Sequence, residues 1–219
     1  IRVHRGGFAL SNDTELKMMT EQVAKYLFID DMNLQFTEAL IDNLSECSNT
    51  GRLSITKNLE ERICKEIVSI LKSGVINQPN NFRSLKMWIN DMKADIRQFI
   101  VKKALEFNPQ YNGCASGIDT FRKICISIRS VLDELKNVTF FLLIDEYENF
   151  LLFQQKIVNT FIKLADNVLG IKVASKFEGI YTRQTILGQE LQRNHDYHLV
   201  RLDYDLTNAN KLSLYRQLV

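Results

Sequence analysis

The chain has 219 residues, enough for one domain with a substantial core or for one domain carrying an insertion. Hydrophobic residues make up 45% and charged residues 25%, ordinary proportions for a globular protein, and the net charge of +2 neither requires a nucleic-acid partner nor excludes a local basic patch. No apolar run reaches 18 residues and no secretory signal pattern is present, so a helical membrane span is excluded and no membrane partner is expected. Cys47, Cys64, Cys114 and Cys125 are scattered, with no C-x-x-C spacing and no neighbouring histidine pattern. They read as reduced structural thiols of a cytoplasmic protein, not as a zinc site.

Residues 1–10 read as a short strand leaving a glycine turn at Gly6-Gly7. Ser11-Asn12-Asp13-Thr14 is an N-cap cluster for a helix with Leu16, Met19, Val23 and Leu27 on one face. A second helical stretch over 31–46 turns Leu34, Ala39, Leu40, Ile41 and Leu44 inward. A third, over 57–72, buries Leu59, Ile63, Ile67, Ile70 and Leu71 and ends at Ser73-Gly74. From Phe82 to Phe107, apolar residues recur every three or four positions, and the same period returns from Ile118 to Leu135. The two helices are joined by a loop containing Pro109 and Gly113, which predicts an antiparallel hairpin. A strand over 138–146, a helix over 149–167, a strand over 170–176, a short helix over 185–194, a strand over 197–203 and a helix after Thr207 complete the chain. Alternation of strand and helix in this half predicts a parallel sheet with right-handed crossovers.

Phe140-Phe141-Leu142-Leu143-Ile144 runs directly into Asp145-Glu146. Five apolar residues in a row read as a strand buried on both faces of a parallel sheet, and acids at its C-terminal end sit where open α/β sheets bind ligands. This is the layout of the Walker B element of P-loop NTPases, in which one acid holds Mg²⁺ through water and the next orients the attacking water. A buried strand that merely ends in a solvated acidic turn has the same sequence. The glycine-rich loop with Lys-Ser or Lys-Thr that cradles phosphates in such proteins is absent: Gly6-Gly7 precedes Phe8-Ala9, and Gly113 and Gly117 flank Cys114-Ala115-Ser116. The expectation is therefore an internal piece whose phosphate loop lies upstream.

Leu143-Ile144-Asp145-Glu146-Tyr147-Glu148-Asn149-Phe150, the helix segment Gln154 to Thr160, Ile171 to Gly179, and His195-Asp196-Tyr197 before Val200-Arg201-Leu202-Asp203 together resemble bacterial relatives of the origin-recognition-complex-like AAA+ ATPases, a group close to the STAND NTPases. The resemblance implies an α/β fold, a partial P-loop NTPase sheet of parallel strands with a large helical insertion at about 57–136. It implies ATP and Mg²⁺ as cofactors, and a nucleotide-dependent switch or motor in DNA transactions or antiphage defence. Self-association, a partner effector protein and DNA are the partners it suggests.

On this reading Asp145 is the Mg²⁺ ligand through water and Glu146 positions the lytic water. Ser175 or Lys176 stands where a polar γ-phosphate sensor would be, with an ordinary strand-end residue as the alternative. Arg183 and Arg193 lie between the last two expected strands, where an arginine finger can reach a neighbour and a solvated arginine is the plainer reading. Lys86, Lys93, Arg97, Lys102 and Lys103 form a basic stretch that reads as a solvated helix face before a DNA contact. Two other functions compete. A metal-dependent nuclease using Asp145, Glu146 and Glu148 lacks the lysine two residues beyond a strand acid. A catalytically incomplete NTPase fold serving as a scaffold is left open by the missing phosphate loop.

Overall fold

A computed structural model describes residues 2–3, 21–105, 111, 113–114 and 116–201. It is mostly helical with a small parallel sheet. In chain order the elements are β1 (Arg2–Val3), α1 (Glu21–Asn49), α2 (Lys57–Leu71), α3 (Phe82–Leu105), α4 (Thr120–Val131), β2 (Phe140–Ile144), α5 (Leu152–Lys163) and β3 (Leu169–Val173). Short 3-10 turns follow α4, β2 and β3. The sheet order is β1-β2-β3, both pairs parallel, with Phe140 opposite Leu169 and Ile144 opposite Val173.

The organising element is α1. The sequence suggested two helices, one from the Ser11–Thr14 cap and one over 31–46; instead a single helix runs through Glu21–Asn49, and residues 4–20 lie outside the described residues. No proline or glycine interrupts this stretch, so nothing breaks the hydrogen-bond ladder. Apolar side chains on several sides of α1 are fully covered, because α3, α4 and α5 all pack against it. Phe28 meets Phe150 and Phe153, and Phe36 meets Phe121 and Phe161, all edge-to-face with ring centres 5.4–6.1 Å apart. Such pairs add about 0.5–1.5 kcal/mol each beyond their buried area.

The helical region between β1 and β2 has its own stops. Thr56 caps α2 through Leu59, and Glu60 reaches across to accept the Phe82 N–H at 2.6 Å. Asn81 and Ser84 cap α3 reciprocally, each side chain taking the other's backbone N–H. The basic stretch on α3 is only partly solvated. Lys86 pairs with Asp42 at 2.5 Å, and the buried Lys93 ammonium pairs with Glu38, so these two lysines tie α3 to α1.

A polar clamp joins α1 to the loop before α4. Asp30 is buried; its Oδ1 accepts the N–H and hydroxyl of Ser116, and its Oδ2 accepts the Tyr111 hydroxyl at 2.7 Å. Asn33 donates to Ser116 Oγ and to the Gly117 carbonyl, and accepts the Phe121 N–H at the start of α4. Ser116 and Gly117 are thereby tied to α1 just before α4 begins.

Three further expectations fail. The β2 strand is buried on one face only: Phe140, Leu142 and Ile144 are covered, while Phe141 and Leu143 are 47% and 40% exposed. Phe141 lies across Gly170, whose missing side chain leaves room for the ring, and Lys172 Nζ sits 5.1 Å from the ring centre. The short helix expected over 185–194 is instead a hairpin-like turn. Gln184 bridges antiparallel to Glu190, the Gly188 N–H reaches the Thr185 carbonyl, and Gly188 adopts φ +76°, which a helix cannot use. The strand expected over 197–203 is not formed among the described residues 197–201, where Tyr197 makes a lone bridge to Arg193. Leu202, Asp203 and the helix expected after Thr207 fall outside the described residues.

Two predictions follow from this packing. Asp30→Ala leaves three donors without their acceptor and is expected to lower the unfolding free energy by about 3 kcal/mol, measured by urea titration. Burial pushes the thiols of Cys64, Cys114 and Cys125 up to about 12, so at pH 8 the reactive thiolate is scarce and access is closed. A thiol-reactive reagent added to the native protein at pH 8 should label Cys47, which is half-buried, well before the other three.

Candidate functional site

β2 delivers Asp145 and Glu146 at its C-terminal end, beside the C-terminal end of β3. The ladder between the strands continues one step past them: Ala174 donates its N–H to the Ile144 carbonyl at 2.8 Å, and Tyr147 donates its N–H to the Ala174 carbonyl at 3.1 Å. Between these two bonds the chain must turn out of the sheet. Glu146 makes the turn in the left-handed region, at φ 56° and ψ 38°. A residue with a side chain pays about 1–2 kcal/mol for that conformation, and such positions cluster at functional sites. The Glu146 N–H is taken by Asp145 Oδ1 at 2.9 Å. Asp145 is half-buried and the Glu146 side chain points into solvent, so the two acids differ in environment although adjacent in sequence.

Glu148 departs from the role of a third catalytic acid. Its Oε2 accepts the Lys176 N–H at 3.3 Å, with the Lys176 ammonium 3.9 Å from Oε1. It staples the turn after β2 to the turn after β3. The two turns touch so closely at Gly179 that a Cβ there would lie 2.0 Å from Glu148 Cβ. Among the described residues no group of three or more histidine, cysteine or acidic side chains is arranged to hold a metal ion. Glu148, the third acid of the nuclease reading, is the one that contacts Lys176.

Ser175 and Lys176 are exposed just past the end of β3, whose last residue Val173 pairs with Ile144, and Lys176 meets Glu148. Ser175 Oγ donates to the Lys176 carbonyl at 2.9 Å. Both therefore share the strand-end ledge with the acid pair. Arg183 and Arg193 are exposed and lie further along, in two loops that follow β3.

What holds those loops is the polar side of α5, part of the Gln154 to Thr160 segment that carries the family resemblance, to whose polar residues the sequence assigned no role. Gln155 is buried; its amide nitrogen donates to the carbonyls of Tyr147, Phe150 and Gly179, and its oxygen accepts the Tyr181 N–H at 2.9 Å. Asn159, also buried, accepts the Tyr147 hydroxyl at 2.8 Å and donates to the carbonyls of Thr182 and Gln184, each at 3.0 Å. Thr160 accepts the Ile186 N–H at 3.1 Å. Lys163 pairs with Asp196 at 2.7 Å, fastening the loop that carries Arg193. The Gln192 N–H, then Lys163 and His195, hold the Asp196 carboxyl well below the usual carboxylate range. Burial pushes the Tyr147 phenol up against the smaller opposing effect of Asn159, so the hydroxyl remains a donor at neutral pH. In the sequence only a spacing is visible, with Gln155, Asn159 and Thr160 at i, i+4 and i+5 on a helix whose Ile157, Val158 and Phe161 are buried, and that spacing does not name their partners.

A family model described as ORC-CDC6-like matches residues 9–219, and the chain belongs to this AAA+-related family. No curated protein and no solved structure matches the chain. No helix among the described residues is long and apolar enough to cross a membrane.

The contact at Gly179 is directly testable. Gly179→Ala forces the two turns apart against backbone and is expected to lower the melting temperature by about 5 °C in a thermal scan. Gly51→Ala, where a Cβ meets nothing within 4 Å but φ is +71°, measures the conformational cost alone and should lower it less.

Proposed function

We propose that this chain is the Walker B half of an ATP-hydrolysing module, acting as a nucleotide-dependent switch or motor within a larger assembly. The observation that carries the reading is the acid pair at the end of β2, with Glu146 held in a left-handed turn beside the end of a parallel neighbour strand. Family membership supports it, since AAA+-related proteins use this strand end for nucleotide chemistry.

The residues present fit one end of a Mg-ATP site. Asp145, half-buried and already accepting the Glu146 N–H, would hold Mg²⁺ through its water shell. Glu146, exposed at the same strand end, would take the proton side of an attacking water and orient its lone pair toward the phosphorus. Ser175 and Lys176 would meet the γ-phosphate from the adjacent strand end, and Arg183 or Arg193 would serve a neighbouring subunit. The bound metal supplies charge neutralisation on the phosphate oxygens. The sequence has no Gly-Lys-Ser/Thr, so the cradle for the phosphates must come from another segment, and this chain alone should bind nucleotide weakly. DNA transactions and antiphage defence are the settings the family likeness suggests, with self-association, a partner effector protein or DNA as partners. Lys86 and Lys93 of α3 do not strengthen the DNA reading, because they are engaged with Asp42 and Glu38.

The test is Mg-ATP turnover by the natural polypeptide that contains this segment. Glu146→Gln should reduce kcat by about 10³-fold or more while ATP binding, followed by a fluorescent analogue, stays within a few-fold. A wild-type protein that neither binds nor hydrolyses ATP, with and without DNA, would instead favour an NTPase-fold scaffold.

A further inference from the structure

We propose that Asn159 is a positioning residue that couples the Walker B turn to the segment carrying Arg183, with Tyr147 as its contact on the acid side. The inference rests on the ATPase reading for its catalytic consequence and on geometry alone for the coupling itself.

Asn159 has four hydrogen-bonding positions, and three of them are used in a single pattern. Two carbonyls, those of Thr182 and Gln184, stand 3.0 Å from one end of its amide, which makes that end the NH₂ group. The other end must then be the oxygen, and it faces the Tyr147 hydroxyl at 2.8 Å. The Thr182 carbonyl belongs to the peptide group just before Arg183 and the Gln184 carbonyl to the one that follows Gln184, so one amide plane holds the backbone on both sides of that residue. Tyr147 follows Glu146 directly, and is fixed at its N–H by Ala174, at its carbonyl by Gln155 and at its hydroxyl by Asn159. Glu146 is thus followed by a residue held at three points. Any rotation of the Tyr147 ring moves the Asn159 amide, and any movement of the amide releases or drags the backbone around Arg183. Both side chains are almost fully buried, so water cannot replace the missing partner when one bond breaks. The arrangement therefore transmits a change at the acid turn to an exposed arginine on a separate loop.

The two halves of the link can be cut separately in the natural polypeptide. Tyr147→Phe keeps the ring that packs on Phe150 and removes the hydroxyl. Asn159→Asp keeps an acceptor for Tyr147 and removes both donors to the Arg183 segment. Each variant is expected to lower kcat for ATP by about tenfold with KM changed less than twofold, the split expected of misplaced groups and not of a weakened fold. Asn159→Asp combined with Arg183→Ala should be no slower than the worse single variant. A second readout needs no turnover. Trypsin cleavage after Arg183 should be faster in both variants than in the wild type at equal global stability. Accelerated cleavage in Tyr147→Phe supports the coupling even if the wild type proves inactive, in which case only the ATPase reading fails. Unchanged cleavage at Arg183 in Tyr147→Phe, or kcat losses that multiply in the Asn159→Asp/Arg183→Ala double variant, would overturn it.

Discussion

A parallel strand that ends in two acids has to leave the sheet without abandoning its backbone hydrogen bonds, and the structure depends on how that exit is made. Glu146 takes the one conformation that turns the chain sharply while Tyr147 still reaches the Ala174 carbonyl. The strain is tolerated because Tyr147 is then held at three points, two of them by side chains of α5. Position, conformation and exposure of the Glu146 carboxylate all follow from that clamp. A looser turn would let the residue relax into the sterically cheaper right-handed region and swing the acid away from the strand end.

The clamp is itself supported from below. Phe150, which closes the turn after β2, packs edge-to-face on Phe28 of α1 and on Tyr147. The same helix carries Asp30 and Asn33, which fasten the loop before α4, and Glu38 and Asp42, which draw in the lysines of α3. One long helix thus connects the acid turn with the helical region that separates β1 from β2. Its buried Asp30 and Asn33 are met by specific partners, and drawing either away from them would cost several kcal/mol.

Much of the local structure was legible. Uninterrupted apolar period marked α2, α3 and α4, and the five-residue apolar run marked β2 with its acid tip, because these features depend on neighbours in the chain. Burial of the strand was misread for a reason that composition cannot reveal. Phe141 and Leu143 look like core, yet whether a sheet face is covered is decided by what packs on it, and Phe141 here lies over Gly170 and beside Lys172 of β3 while remaining 47% exposed. The segment 185–194 is not the short helix expected of it because Gly188 and Asn194, both at positive φ, impose a backbone that a helix cannot continue through.

By itself the sequence determined the acid pair, the helices that flank it and the absence of a Gly-Lys-Ser/Thr loop, since each is a matter of residue type and spacing. Only the tertiary structure decided which polar groups meet. Asn159 joins Tyr147, twelve positions before it, to carbonyls more than twenty positions after it. Gln155 does the same for two turns on adjacent strands. Their partners are largely backbone groups, which every residue carries, so no pattern of side chains announces such a bond. It exists only once the fold has brought a buried amide against a particular stretch of main chain.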